Sequence, residues 1–185
     1  MAICIFPGTF NPIHNAHLKM ANFVIENFDI DKVIFIPAHI PPHKNVDKSI
    51  ANHRFNMVKL AIQNNPQFEI SDIEYKSEDK SYTLLTVKKI TEKYNIKGKL
   101  NMIIGTDAFA NIRSWYHIDE LKKLVHFIVF PRETAYINKN DFCDFDFEIV
   151  NSEKINLSST ELRNGLRIGL TKEVKDYIAE NELYN

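Results

Sequence analysis

Residues 1–37 read MAICIFPGTFNPIHNAHLKMANFVIENFDIDKVIFIP, and the hydrophobic period changes twice along them. Residues 2–6 are a short apolar run, rich in Ile and Phe, that meets a Pro-Gly pair at Pro7 and Gly8, as a buried strand running into a tight turn does. From His17 onward Leu18, Ala21, Phe23, Val24, Ile25 and Phe28 form an approximate helical stripe of about three turns. A second apolar run over residues 33–36 is closed by Pro37. Strand, loop, helix and strand in this order make the unit from which parallel sheets are built.

The alternation continues outward. Residues 38–49 are a loop around Pro41, Pro42, His43 and Lys44, and Ser49 is placed to cap a helix over residues 51–62 whose apolar face uses Phe55, Val58, Leu60 and Ile62. Residues 68–73 are strand-like. Ser81 and Thr83 precede a helix through Leu84, Leu85, Val87, Ile90 and Tyr94. Residues 102–104 form an interior strand ending at Gly105, and residues 107–112 and 118–121 are short helices around a loop holding Trp115. Residues 125–130 are a further buried strand closed by Pro131, and Phe145, Phe147 and Ile149 alternate as one strand face. Residues 159–166 and 171–178 read as terminal helices separated near Gly169. Apolar strands alternating with helices predict an α/β fold: a doubly wound, mostly parallel, Rossmann-like sheet with helices on both faces and a small C-terminal helical portion. One domain over residues 1–185 accommodates this, with residues 157–185 as its C-terminal part.

Composition narrows the function classes. Of the 185 residues 44% are hydrophobic and 25% charged, which excludes a wholly disordered chain. The formal charge, 23 − 24 = −1, lacks the broad basic field of a non-specific nucleic-acid binder. The apolar runs are far short of a membrane span, and no positive region precedes the first of them as in a signal peptide, so the expected location is cytoplasmic. Cys4 and Cys143 form no Cys-x-x-Cys metal pair, and arithmetic alone leaves one bridge between them open.

In a doubly wound sheet ligands bind outside the carboxyl ends of the strands. The polar residues of interest fall there, at residues 8–17, 37–44, 105–107 and 131–132. Gly8 permits close backbone approach. His14 and His17, three apart at a helix start, present neighbouring imidazoles, and the helix terminus adds free backbone N–H groups suited to phosphate. The plainer alternative is a capped helix with two surface histidines. The loop has neither the spacing of the dinucleotide fingerprint nor the Gly-Lys-Ser/Thr of a Walker A loop. Near the other end, LSSTELR (residues 157–163) sets three hydroxyls ahead of a helix with Arg163 one turn on. That pattern suits an ordinary N-cap, or a phosphate grip through hydroxyls, N–H groups and a bidentate guanidinium.

These residues carry a family resemblance. GTFNPIHNAH resembles the phosphate-binding loop of the nucleotidyltransferases related to class I aminoacyl-tRNA synthetases, with His14-Asn15-Ala16-His17 on their His/Thr-x-Gly-His signature. LSSTELR resembles their second signature, Ile-Ser-Ser-Thr-x-x-Arg. Pro41-Pro42-His43-Lys44, Arg54-x-x-Met57, Ser81-Tyr82-Thr83, and Gly105-Thr106-Asp107 followed by Trp115 are similar to bacterial nicotinate mononucleotide adenylyltransferases. The stretches follow the family's order over nearly the whole chain. Three positions depart from the pattern: Asn11 for aspartate, Leu157 for isoleucine, and Ala16 for glycine, which adds a methyl group at a crowded phosphate site.

The resemblance implies an enzyme of NAD biosynthesis that transfers the adenylyl group of ATP to nicotinate mononucleotide. The mononucleotide phosphate attacks the ATP α-phosphorus directly, giving nicotinate adenine dinucleotide and pyrophosphate. His14, His17 and Arg163 are the implied catalytic residues. Gly8, Thr9 and Phe10 approach ATP by their backbone, Gly105 and Asp107 lie against it, and Leu157, Ser158, Ser159 and Thr160 join Arg163 at the triphosphate. Lys44 and Arg132 meet the mononucleotide phosphate and Asp107 its ribose. Thr83, Trp115 and the Tyr116 amide receive the pyridine ring and its carboxylate, which favours the acid over the amide because an amide NH₂ would face donors. Magnesium arrives as the ATP complex, without a dedicated protein cage. No nucleic-acid or membrane partner is expected, and a homo-oligomer is compatible with the sequence. The rivals are a phosphopantetheine adenylyltransferase, disfavoured by His14 where that family carries threonine, and a non-catalytic nucleotide-binding module, opposed by the near-complete set of polar groups. A zinc site from His14, His17, His39 and His43 has no recognised spacing.

Overall fold

A computed structural model of the chain describes residues 1–42, 48–76, 80–132, 135–151 and 169–184. Its strands are β1 Ile3–Gly8, β2 Lys32–Pro37, β3 Phe68–Ile70, β4 Leu100–Gly105, β5 Val125–Phe130 and β6 Phe147–Ile149, and its helices are α1 Asn15–Asn27, α2 Ala51–Ile62, α3 Thr83–Lys93, α4 Thr106–Phe109, α5 Ile118–Leu124 and α6 Lys172–Glu180. The six strands form one sheet in the order β3-β2-β1-β4-β5-β6, with every neighbouring pair parallel. The chain winds from β1 toward β3, then returns to the other side of β1 and winds toward β6. That reversal separates the loops leaving β1 and β4 and opens a crevice at their carboxyl ends.

Strand side chains alternate between two cores. Cys4, Phe6, Val33, Phe35 and Ile128 pack with Met20 and Val24 of α1, Met57 and Ile62 of α2, and Val174 and Ile178 of α6. Ile5, Ile34, Met102, Ile104 and Val129 pack on the opposite face with Leu84 and Val87 of α3 and Leu121 of α5. Both faces are covered, so the central strands are apolar throughout rather than alternating. Cys4 lies inside β1, where burial pushes its thiol far above the ordinary range, and Cys143 is exposed; both are free.

Local readings change in several places, among them residues 107–112, where α4 ends at Phe109 and a separate 3₁₀ turn follows over Ile112–Ser114. β1 does not stop at Pro7: Pro7 and Gly8 pair with Ile36 and Pro37, because an extended strand end tolerates the fixed φ of proline. α1 starts at Asn15, with His14 as its N-cap. α2 is preceded by a 3₁₀ turn over Lys48–Ile50, so Ile50 rather than Ser49 is the N-cap. The buried side of α2 is Ala51, Arg54, Met57, Val58 and Ile62, not the stripe through Phe55 and Leu60, because an arginine takes an interior position there. Phe145 precedes β6 and packs with Phe142 around Phe109, while Phe147 and Ile149 lie in the strand. The helix expected over residues 159–166 lies outside the described residues. Thr171 caps α6, its hydroxyl accepting from the Val174 N–H at 3.4 Å. Among the described residues no helix is long and apolar enough to cross a membrane.

Candidate active site

A cleft of about 1070 Å³ opens at the carboxyl edge of the sheet, over the ends of β1 and β4. The loop after β1 contributes Gly8, Thr9, Phe10, His14 and His17, and the loop after β2 contributes Ala38, Pro41 and Pro42. Gly105 and Asp107 follow β4, Arg132 follows β5, and Thr83, Trp115 and Tyr116 form the far wall. The four loops expected at this edge therefore meet in one cavity, large enough for two substrates together.

The β1 loop is tightly folded. Phe10 adopts φ 48 and turns its ring back over Gly8, where a Cβ would stand 2.7 Å from the ring Cζ. Gly8 is glycine because Phe10 occupies that space. Asn11 accepts a hydrogen bond from the Tyr184 hydroxyl, which ties the C-terminal end of the chain to this loop.

His14 and His17 are both buried, with ring centroids 3.7 Å apart, and the edge of His17 meets Phe10 at 5.0 Å. The His14 backbone N–H donates to His17 Nδ1 at 3.3 Å. A nitrogen that accepts from an amide carries no proton, so the neutral imidazole holds its proton on Nε2 and presents a donor there. The plain alternative of two surface histidines is set aside by this burial. The helix terminus, however, is less open than expected. The Asn15 N–H donates to the Gly169 carbonyl at 2.7 Å and the His17 N–H to the His14 carbonyl at 2.9 Å, so those amides are already engaged. Ala16 is fully buried and does not line the cleft, so its methyl group does not crowd a phosphate there.

On the β4 side of the cleft, Asp107 sits in the first turn of α4 but makes no cap; the cap residue is Gly105. The Asp107 carboxylate faces the Arg132 guanidinium, Oδ1 to Nε 3.5 Å, across Gly105. A Cβ on Gly105 would lie 2.5 Å from that Oδ1 and 2.8 Å from that Nε, which explains the glycine. Arg132 is held by its own N–H, donated to Thr106 Oγ1 at 2.9 Å. Thr83 is the first residue of α3 and lines the cleft. Trp115 lines it too while packing against the second core, so the core reading of this residue holds and its indole also borders the cleft. Tyr116 stacks on Tyr82, centroids 4.4 Å apart. Residues 139–146 brace this wall from outside: Arg113 donates to both Asp144 carboxylate oxygens, at 2.6 and 3.3 Å, and to the Asp141 carbonyl at 2.7 Å. Arg113 and Lys122 together hold the Asp144 carboxyl well below the usual carboxylate range.

Lys44 and the whole second signature, Leu157, Ser158, Ser159, Thr160 and Arg163, lie outside the described residues. Three cleft-side residues had no role assigned from sequence. Arg54 matched a pattern only; its helical spacing with Ala51, Met57 and Val58 is the signal that places it inside. Glu74 is buried at the cleft wall, its carboxyl accepting from Thr86 Oγ1 at 2.6 Å, and burial raises its pKa. Tyr184 lies at the chain's end and gave no signal. Among the described residues no three His, Cys, Asp or Glu side chains converge on one point.

Over residues 5–165 the sequence matches the family described as cytidylyltransferase-like. A probable nicotinate-nucleotide adenylyltransferase of Caldicellulosiruptor saccharolyticus is 39% identical across 100% of this chain and 99% of that protein. Another, of Clostridium botulinum strain Loch Maree, is 37% identical across 97% of each. Among solved structures, a Plasmodium falciparum nicotinic acid mononucleotide adenylyltransferase complexed with NaAD superposes with a TM-score of 0.83, over 99% of this chain and 97% of that one, at 24% identity. At that identity the likeness establishes a shared fold.

Proposed function

The chain belongs to the nicotinate-nucleotide adenylyltransferases of the cytidylyltransferase-like family, and from that membership we infer that it joins ATP and nicotinate mononucleotide into nicotinate adenine dinucleotide with release of pyrophosphate. The observation that carries the reading to this site is one cleft with paired imidazoles over the end of β1 and an aromatic wall, Trp115 with Thr83, facing them.

An oxygen of the mononucleotide phosphate forms a bond to the α-phosphorus, and the bond from that phosphorus to the bridging oxygen breaks. The electron pair leaves with pyrophosphate. The nucleophile is already an anion, so the protein is asked to align two charged groups and stabilise the charge that develops. His17 Nε2–H is the donor aimed at the α-phosphate, with His14 stacked behind it and the α1 dipole favouring anions at the same end. Ser158, Ser159, Thr160 and Arg163, with Leu157 of the same signature, are assigned to the leaving pyrophosphate. Lys44 and Arg132 hold the acceptor phosphate. Asp107 receives ribose hydroxyls, and Gly8, Thr9, Phe10 and Gly105 let the nucleotides approach their backbone. Trp115 stacks on the pyridine ring while Thr83 and the Tyr116 amide meet its carboxylate. Among the described residues the cleft carboxylates are Asp107, paired with Arg132, and the interior Glu74. That donor set suits a magnesium ion delivered on the ATP phosphates and counted as part of the substrate. Such chemistry on diffusible nucleotides belongs in the cytoplasm.

The test is pyrophosphate release from purified protein with MgATP and, in parallel, nicotinate mononucleotide, nicotinamide mononucleotide or phosphopantetheine. Turnover with the nicotinate acceptor is expected to exceed both others. Equal rates with acid and amide would remove the carboxylate pocket from the scheme, and turnover only with phosphopantetheine would replace the acceptor.

A further inference from the structure

The cleft's two halves are joined beneath its floor by one side chain that does not line it. Arg54 is fully buried on the inner face of α2. One terminal nitrogen, Nη1, donates to the Thr9 carbonyl at 2.8 Å and to the Ala38 carbonyl at 2.6 Å; the other, Nη2, donates to the His39 carbonyl at 3.0 Å. Thr9 belongs to the loop against which ATP is placed, and Ala38 and His39 begin the loop after β2. The chain of contacts continues. The Ala38 N–H donates to the Gly8 carbonyl at 2.9 Å, the Ser81 N–H to the Ile40 carbonyl at 2.9 Å, and the Ile40 N–H to Ser81 Oγ at 3.2 Å. Thr83, on the acceptor wall, follows two residues later, and Glu74 fixes the first turn of α3 through Thr86.

A guanidinium removed from water is costly unless its surroundings are polar and fixed. Among the described residues no carboxylate lies within ion-pair distance of Arg54, and burial lowers its pKa. Three carbonyls from two loops take that place. Glu74, Tyr75 and Tyr184 support the charge electrostatically, but its hydrogen bonds go to backbone oxygens, and they are best made when those oxygens stay in one arrangement, so the guanidinium opposes any drift of one loop against the other.

We infer that Arg54 is a positioning residue that sets the separation of the ATP loop and the acceptor wall, through the carbonyls of Thr9, Ala38 and His39. This rests on the adenylyl-transfer reading for its kinetic consequence, while its structural consequence can be read without turnover. A lysine retains the charge but lacks the two-pronged fork that spans both loops. A methionine retains apolar volume and loses both.

Arg54→Lys and Arg54→Met are compared with the natural chain by steady-state kinetics in both substrates and by amide hydrogen exchange without substrates. KM for ATP and for the mononucleotide are expected to rise together, by about tenfold or more, because loop misplacement of about 1 Å can cost on the order of 10²-fold in rate. Exchange at the Ala38, Ile40 and Ser81 amides is expected to quicken while β4 and β5 stay protected. In Arg54→Ala, added guanidinium at millimolar concentration is expected to restore part of the activity. Unchanged KM values with unchanged exchange at the three amides, in either folded variant, would overturn the inference, as would a rise confined to one substrate. If Arg54→Met does not fold, Arg54→Lys decides on the same readouts. A natural chain that releases no pyrophosphate would fail the functional reading instead, and the exchange comparison would still decide the positioning role of Arg54.

Discussion

Replacing His17 separates two things that its imidazole does at once. Nδ1 accepts the His14 N–H at 3.3 Å and so closes the start of α1, while Nε2–H is the donor proposed for the phosphate. Asparagine places its side-chain oxygen near the former Nδ1 and has nothing at Nε2. Glutamine reaches the Nε2 position with an amide N–H and gives up the cap. Loss of one preorganised donor to developing charge costs about 10²–10³ in kcat, or about 2.7–4 kcal/mol. Loss of a cap costs about 1 kcal/mol, which in a chain of this size is about 2–4 °C in Tm. His17→Asn is therefore expected to lower kcat about 10²–10³-fold with Tm nearly retained. His17→Gln is expected to lose less activity and more stability. Pyrophosphate release at saturating substrates, alongside thermal unfolding of the same samples, reads both. A kcat for His17→Asn within about threefold of the natural chain would refute the assignment of Nε2–H to the transition state, since that change is smaller than any preorganised donor of this kind contributes.

Trp115→Ala should raise the acceptor KM about tenfold or more with the ATP KM nearly unchanged; because the indole also packs on the core, Tm should fall, and Trp115→Phe should recover most of the Tm. Equal changes in both KM values would make Trp115 structural. Gly105→Ala sets a Cβ 2.5 Å from Asp107 Oδ1 and 2.8 Å from Arg132 Nε, so the pair must part; kcat/KM should fall for both substrates with little loss of Tm, and unaltered kinetics would remove the pair from the site. Burial raises the Glu74 pKa, so from about 4.3 upward, until its raised native value is passed, the folded chain binds more protons than the unfolded one and stability falls as pH rises. Glu74→Gln should flatten that part of the curve in urea titrations run at a series of pH values; an unchanged slope would assign it to other groups.

The fold was legible where a period of two or of helical turns ran without interruption. β1, α1 and β2 announce themselves in residues 1–37, and the apolar runs at β4 and β5 show no alternation because both faces are covered. The inner side of α2 was misread although the spacing of Arg54 with Ala51, Met57 and Val58 carried it, since a reading that keeps charges outside turns the helix away from Arg54. Burial of that guanidinium depends on carbonyls of Thr9, Ala38 and His39, and backbone acceptors leave no mark in composition. Of the proposed ATP half, where Gly105, Asp107 and the second signature are distant in sequence, the stretch from Gly8 through His17 was readable as a local motif. The acceptor half was only partly so: Thr83, Asp107, Trp115 and Arg132 come from different loops, and their convergence follows from strand order, which apolar runs do not encode. Tyr184 against Asn11 joins the two ends of the chain, beyond the reach of any spacing rule.

The same long-range closure bears on the phosphate site proposed at the start of α1. In a Gly-rich phosphate loop the backbone amides form the cradle and the side chains assist. Here the Asn15 amide is taken by Gly169, the His14 amide by His17, and the His17 amide by the His14 carbonyl. With those amides engaged, the start of α1 offers its dipole and the two stacked imidazoles. That ordering accounts for Ala16: a glycine is needed where a phosphate must press against backbone, and the Ala16 methyl group is buried away from the cleft. It also accounts for the tautomer, because the amide that is withheld from the phosphate is the one that fixes the proton of His17 on Nε2. On the proposed reading the histidines are the donors at this helix end, with His17 set in place by the backbone amide it engages.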